Sequence, residues 1–106
     1  MAIHGRERLR VIKALAEETE YRGGSALRVT HTFNGVGRAY MDDEVPAPDT
    51  VRTWVYSYVT PIAAVLNDGT VWHSSRSYST TTSHHQGLAR VYLANLDNTA
   101  PWIERL

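Results

Sequence analysis

The sequence predicts one α+β domain: an N-terminal helix, an antiparallel sheet of about four strands in two hairpins, and a second helix after a Ser/Thr tract. Three observations support this prediction: apolar residues at helical spacing near the start, segments of strand-like alternation in the middle, and two hairpin-turn sequences. The chain has 106 residues, 42% of them hydrophobic, which suits a single domain spanning 1–106.

The first predicted element is an amphipathic helix from Arg6 to about Tyr21. Its apolar residues recur at spacings of three and four and would form one stripe, made of Leu9, Ile12, Leu15 and Ala16. The segment 22–25 then ends the helix, because the paired glycines Gly23 and Gly24 supply the positive φ angles found where helices close.

The first predicted hairpin follows. One strand has alternating apolar and polar residues, and its buried face would carry Leu27, Val29, His31 and Phe33. Asn34-Gly35 is the preferred two-residue turn, and Val36 to about Met41 is the return strand. Residues 42–49 are acidic and rich in proline, which indicates a surface loop.

The second predicted hairpin begins with one long strand from Thr53 to Leu66. Both faces of this region carry bulk, with Trp54, Tyr56 and Tyr58 on one side and Val51, Val55 and Val59 on the other. Pro61 lacks an amide hydrogen, so we expect a bend or bulge at Thr60-Pro61 and an edge position for that stretch. Asn67-Asp68-Gly69 is the turn, and the chain returns through Val71, Trp72 and His73.

The second predicted helix opens at a capping box formed by Ser83 and Gln86, three residues apart. Its inward positions would be Leu88, Val91, Tyr92 and Asn95, and Asp97, Asn98 and Pro101 would end it. A tail with Trp102, Ile103 and Leu106 should then pack back on the domain. The hydroxyls of Thr81, Thr82 and Ser83 either cap this helix, which we favour, or hold an anion together with Arg76 and His84 or His85.

The composition excludes several classes of site. The chain has no cysteine, so it has no disulfide, zinc–thiolate site, iron–sulfur cluster or cysteine nucleophile. Eleven basic and eleven acidic residues give zero net charge, so nucleic-acid binding would depend on a local patch. The sequence has no apolar run of membrane-spanning length and a charged start, so we expect neither a membrane span nor an export signal, and a cytoplasmic location.

The histidines and hydroxyls do not predict a metal, a cofactor or an enzyme. His84 and His85 are adjacent and would point about 100° apart on a helix, and neither has a His, Asp or Glu four residues later. The many hydroxyls near His73, His84 and His85 lack a GxSxG motif and a carboxylate close in sequence to orient a base. We expect core or capping histidines, with His85 neutral near pH 7.

One candidate binding surface combines rings and cations. Its members, Arg52, Trp54, Tyr56, Tyr58 and Arg76, resemble a platform on which unpaired bases stack while arginines contact phosphate. The alternative, which we favour for the rings, is that they pack in the core.

Two segments resemble a small family of uncharacterised bacteriophage and prophage proteins. The pattern is S-Y-x-T-P-I-A, a β-turn, then Y-S-x-T-T-S-x-H. It is filled here by Ser57, Tyr58, Thr60, Pro61, Ile62, Ala63, Tyr78, Ser79, Thr81, Thr82, Ser83 and His85. The resemblance covers roughly the middle third of the chain. It implies a phage origin and a bacterial host cell, and no mechanism.

These observations together lead to two functional hypotheses. The first is a small non-enzymatic phage accessory protein that binds a host or phage macromolecule, most simply a protein, and can alter host physiology. The alternative is a nucleic-acid-binding module that uses the Arg52, Trp54, Tyr56 and Tyr58 face. A homodimer is a further expectation, through the edge at Pro61 or the tail.

Overall fold

The computed structural model describes residues 5–23, 26–33, 44–76 and 79–95. The elements in chain order are α1 (Gly5–Glu17), β1 (Tyr21–Arg22), β2 (Leu27–Thr30), a 3-10 turn (Pro48–Thr50), β3 (Val51–Ser57), β4 (Thr60–Leu66), β5 (Val71–His73) and α2 (Thr80–Tyr92). The five strands form one antiparallel sheet in the order β1-β2-β3-β4-β5. The predicted α+β class is confirmed, with five strands where about four were expected.

Each face of the sheet carries its own apolar cluster. Both helices pack on one face, where Leu15 of α1 and Leu88 of α2 meet Val55 of β3. On the opposite face Trp54, Tyr56 and Ala64 are buried beneath partly buried residues, namely Phe33, Val45, Val51 and Trp72. Because β3 is enclosed on both sides, large side chains occur at successive positions along it.

Helix α1 ends at Glu17, four residues before the predicted end near Tyr21. Glu18 adopts a left-handed backbone with φ 56°, and the amide of Thr19 donates to the carbonyl of Ala14 at 3.1 Å. This is the closing bond of a Schellman motif, which ends a helix without needing the glycine pair. Tyr21 and Arg22 instead form β1 and pair with β2.

A tertiary contact holds Glu18 in this unusual conformation. Its carboxylate accepts two hydrogen bonds from the Arg52 guanidinium, both at 2.9 Å, and one from Thr53 Oγ1 at 2.7 Å. The hydrogen bond from Arg52 lowers the pKa of Glu18. The end of α1 is therefore fixed by β3, which lies more than thirty residues away along the chain.

The predicted long strand is in fact a hairpin, since β3 and β4 are separate strands. Ser57 pairs with Thr60, and the two-residue turn between them is Tyr58-Val59. Tyr58 has φ 57°, and its amide donates to the carbonyl of Ala26 at 2.9 Å. No glycine, asparagine or aspartate marks this turn, so the usual hairpin signal is absent from the sequence.

The expected irregularity near Pro61 is present, whereas the strand as a whole lies inside the sheet and only its first residues extend past the neighbouring strand. Val55 pairs with Ala63 and Tyr56 with Pro61, so Ile62 is an extra residue in β4. Strand β4 lies inside the sheet between β3 and β5. Strand β5 pairs only with Ala63 to Val65, so Pro61 lies beyond that paired stretch.

The remaining turns confirm part of the sequence analysis. Asn67-Asp68-Gly69 joins β4 to β5 as expected, and Gly69 has φ 89°. His31 is wrongly placed on the buried face, because β2 ends at Thr30 and the exposed imidazole lies 2.6 Å from the carbonyl of Glu18. The Asn34-Gly35 turn, the return strand 36–41 and the tail 96–106 lie outside the described residues.

Helix α2 begins at Thr80, three residues before the predicted start, and ends at Tyr92. Leu88 is buried and Tyr92 packs against the core, as expected, whereas Val91 is 48% exposed and does not face inward. No helix in the described part of the chain is long and apolar enough to cross a membrane.

The orientation of α2 can be tested by a pair of truncations. Leu88→Ala removes a side chain packed between α2 and the sheet and should lower the free energy of unfolding by about 2–5 kcal/mol. Val91→Ala changes an exposed position and should stay within about 0.5 kcal/mol of the wild type. Urea unfolding followed by circular dichroism measures both, and equal losses would mean that the helix is rotated from this orientation.

Candidate functional site

The two halves of the sequence motif meet in a buried hydrogen-bonded cluster, here called the polar joint, made of Ser57, Thr82 and His85. Ser57 Oγ lies 2.7 Å from Nδ1 of His85 and 2.9 Å from Oγ1 of Thr82. All three side chains are buried. Ser57 ends β3, and the other two residues lie three apart on one face of α2, so the polar joint fastens α2 to the end of β3.

The polar joint continues into the cap of α2, and the cap is Ser79 rather than Ser83. Ser79 Oγ accepts from the amide of Thr82 at 3.4 Å and lies 3.3 Å from the Thr82 hydroxyl. Ser83 falls inside the helix on its exposed side. Gln86, expected to complete a capping box, instead donates from Nε2 to the carbonyl of Arg76 at 3.0 Å.

His85 is held as a neutral imidazole. Burial lowers its pKa, and the neighbouring His84 lowers it further. Among the described residues its Nε2 atom has no hydrogen-bond partner and is buried, so a proton added there would be poorly solvated. His85 therefore cannot join Arg76, which is exposed, in the surface anion site considered from the sequence.

The Ser57–His85 contact has the spacing of a hydroxyl beside a base, which is the arrangement that activates a serine nucleophile. Ser57 is 1% exposed and His85 is fully enclosed. Within the described residues no carboxylate contacts either ring nitrogen of His85. In this conformation the geometry stabilises the packing of α2 and gives a substrate no access to Ser57.

The proposed stacking platform is not assembled on the surface. Trp54 and Tyr56 are each 1% exposed, and the Trp54 ring lies 4.9 Å from Phe33 and 6.1 Å from Tyr56 between ring centroids. Arg52 is exposed but is engaged by Glu18. The alternative of core packing is therefore correct for both rings, and Tyr58 is the one ring of the predicted set that remains exposed.

Tyr58 instead belongs to a surface cleft, here called the arginine cleft. Its volume is about 240 Å³, and it is lined by Arg22, Gly23, Ala26, Leu27, Arg28, Tyr58 and Val59. Tyr58 and Val59 are 58% and 54% exposed. Arg22 pairs directly with Arg28 across β1 and β2, so their side chains project from the same face of the sheet.

This cleft was not predicted from the sequence, for two reasons. Arg22 was expected at the end of a helix, and Tyr58 was expected within a continuous strand. The alternation of Arg28 with Leu27 and Val29 was the available signal, since it directs that arginine away from the helix-covered face. Tyr78, a member of the motif, lies outside the described residues.

A comparison with protein families identifies the family of this chain. A family model described as a family of unknown function, DUF8033, matches residues 16–95. The chain belongs to DUF8033. No curated protein and no solved structure matches it.

The DUF8033 region contains both the polar joint and the arginine cleft, because it includes every residue that forms them. In the described part of this DUF8033 chain, no group of three or more His, Asp or Glu side chains could hold a metal ion. The two features thus differ in character: the polar joint is enclosed and holds elements together, and the arginine cleft is open and presents side chains to solvent.

The cap of α2 can be tested by two serine substitutions. Ser79→Ala removes the acceptor for the Thr82 amide and should lower the free energy of unfolding by about 1 kcal/mol. Ser83→Ala should lower it by less, because Ser83 lies within the helix. Chemical denaturation of the two variants side by side gives the comparison. A larger loss for Ser83→Ala would restore the cap predicted from the sequence.

One buried and one partly buried histidine, His85 and His73, make stability depend on pH. The pKa of His85 and of His73 is lowered below 6.5, by burial in both cases, so the unfolded chain binds protons that the folded chain does not. Stability is therefore full above about pH 6.5 and falls as the pH drops toward the folded-state pKa, by at most about 1.4 kcal/mol per pH unit for each histidine.

Urea unfolding between about pH 5 and 8 measures this slope. His85→Gln should reduce it, and the His73→Gln, His85→Gln double variant should flatten it further. A wild-type profile that is flat over this range, or a double variant with the full wild-type slope, would contradict the account.

Proposed function

We propose that this chain is a small accessory protein of a bacteriophage or prophage that works in the cytoplasm by binding a host or phage macromolecule, and not by catalysis. The observation that supports binding is the Tyr58-Val59 turn. It exposes two large apolar side chains next to each other at the end of the sheet. Tyrosine is enriched at residues that dominate protein–protein interfaces.

Neither the backbone conformation nor the packing of the core accounts for a tyrosine at position 58. Its φ of 57° lies in the left-handed region, where a side chain costs about 1–2 kcal/mol and glycine costs nothing comparable. Its ring is 58% exposed and so adds little to the core. Backbone strain combined with exposure is typical of residues retained for a function other than stability.

The proposed phage origin depends on the resemblance of the sequence motif to phage and prophage proteins. The two halves of that motif include Ser57 and His85, which form the polar joint, and Tyr58, which lines the arginine cleft. A phage product that alters host physiology would need an exposed contact surface on a small stable body, and the cleft and the joint supply these two parts.

The proposal does not include catalysis, because the contact between the Ser57 hydroxyl and the His85 imidazole is enclosed and gives a substrate no access to Ser57. The nucleic-acid alternative loses Trp54 and Tyr56, which are buried, and would depend on Arg22, Arg28 and Tyr58. A homodimer through an edge at Pro61 has limited support, because β4 lies inside the sheet and only its first residues extend past the stretch paired with β5. Light scattering over a wide concentration range would identify a second copy of the chain as the partner.

The proposal is tested by affinity capture with matched variants. Tagged wild type, Tyr58→Gly and Val91→Ser are incubated with a lysate of the bacterium that carries the gene, and bound proteins are identified by mass spectrometry. Tyr58→Gly keeps the turn and removes the ring, whereas Val91→Ser removes an exposed apolar side chain from α2. We expect one partner to be retained by the wild type and Val91→Ser and to be lost at least tenfold with Tyr58→Gly.

Thermal unfolding of the baits separates binding from folding. Tyr58→Gly should be as stable as the wild type or more stable by up to about 1 kcal/mol, because glycine relieves the positive φ. Failure to capture a partner with folded wild type, or a partner captured equally by Tyr58→Gly, would overturn the proposal.

A further inference from the structure

The positive charge and the small volume of the arginine cleft limit the kind of group that it can bind. Building on the binding function proposed above, we infer that it binds an acidic segment of a partner protein, with a carboxylate between Arg22 and Arg28 and an apolar neighbour against Tyr58 and Val59.

Among the described residues, no carboxylate forms an ion pair with the guanidinium group of Arg22 or Arg28. Arg22 and Arg28 are direct cross-strand partners, and like charges at such positions repel each other. Neither forms an ion pair within residues 5–23, 26–33, 44–76 and 79–95, where Arg52 is paired with Glu18 at 2.9 Å. A carboxylate placed between the two arginines removes the repulsion and accepts charge-assisted hydrogen bonds from both.

The carboxylate that lies against Gly23 in the same region is already engaged. Glu7 Oε1 accepts the hydroxyl of Tyr21 at 3.0 Å, and burial together with Glu7 raises the pKa of Tyr21 to about 12. Tyr21 pairs with Val29 and packs against the helix-covered core, so this pair belongs to the other face of the sheet. In the described part of the chain, Glu7 forms an ion pair with neither Arg22 nor Arg28.

The dimensions favour a peptide side chain over a nucleic acid. The cleft volume of about 240 Å³ is below the roughly 300–1,000 Å³ of pockets that hold drug-sized ligands. Binding to a nucleic-acid backbone depends on lysines and arginines that neutralise several phosphates, whereas this cleft offers two arginines on a chain of zero net charge. The exposed Tyr58 and Val59 add apolar surface, which suits the residue beside an acidic side chain.

Amide chemical shifts in the ¹⁵N-labelled full chain can locate such binding even when it is weak. The probe is a capped hexapeptide with two aspartates between a phenylalanine and a leucine. Its control replaces both aspartates with asparagine. We expect the acidic peptide to shift the amides of Arg22, Arg28, Tyr58 and Val59 and to bind at least tenfold more tightly than the control.

Arginine substitutions test the charge directly. Arg22→Gln and Arg28→Gln should each weaken the acidic peptide at least fivefold, and the matched surface variant Arg8→Gln should stay within twofold of the wild type. The three spectra also report whether each variant is folded. Equal binding of the two peptides, shifts located elsewhere, or insensitivity to both substitutions would overturn the inference.

A third titration uses a single-stranded oligothymidylate and a DNA duplex. Tighter binding of either one in the arginine cleft than of the acidic peptide would overturn the inference and support the nucleic-acid alternative.

Failure of the acidic-segment inference is distinguishable from failure of the proposed function. A Tyr58-dependent partner with no acidic-peptide binding would reject only the ligand class, whereas absence of any captured partner would reject the function.

Discussion

The hydrogen bond between Ser57 and His85 is the contact on which the arrangement of sheet, helix and surface depends. An apolar interface alone allows a helix to slide or rotate with little change in buried area, but a buried hydrogen bond is satisfied in only one position. Ser57 is the last residue of β3, so fixing it also fixes the Tyr58-Val59 turn that follows. The enclosed polar joint and the exposed cleft thus meet at consecutive residues of the chain, Ser57 and Tyr58, although the two share no residue.

Local patterns predicted those elements whose structure is determined locally. The Asn67-Asp68-Gly69 turn, the helical character of α1 and α2 and the α+β class were all available from spacing and turn residues. The end of α1 and the β3–β4 turn were not. Glu18 is held by Arg52 and Thr53, and the amide of Tyr58 by the carbonyl of Ala26, so both depend on distant contacts that no local pattern contains.

The residues of the candidate site were harder to predict, because the exposure of a side chain depends on which other residues cover its face of the sheet. Trp54 and Tyr56 were correctly placed on a strand, but Phe33, Val45 and Trp72 cover that side of the sheet. Arg22 and Arg28 are neighbours because β1 pairs with β2. The sequence pattern had instead predicted that the segment forming β1 is the end of a helix. Tyr58 is exposed, but it lies in the turn between β3 and β4 and not within a continuous strand beside Trp54 and Tyr56.

The unequal strands give the cleft two walls of different stiffness. Strands β3 and β4 have seven residues each and lie between two apolar clusters, so the turn that carries Tyr58 is anchored in the part of the sheet that opens last. Strand β1 has two residues at the sheet margin, so Arg22 lies on a segment that separates at low cost. The two arginines of the cleft therefore differ in how they are anchored, because Arg22 lies on this marginal strand and Arg28 lies on a strand that is paired on both sides.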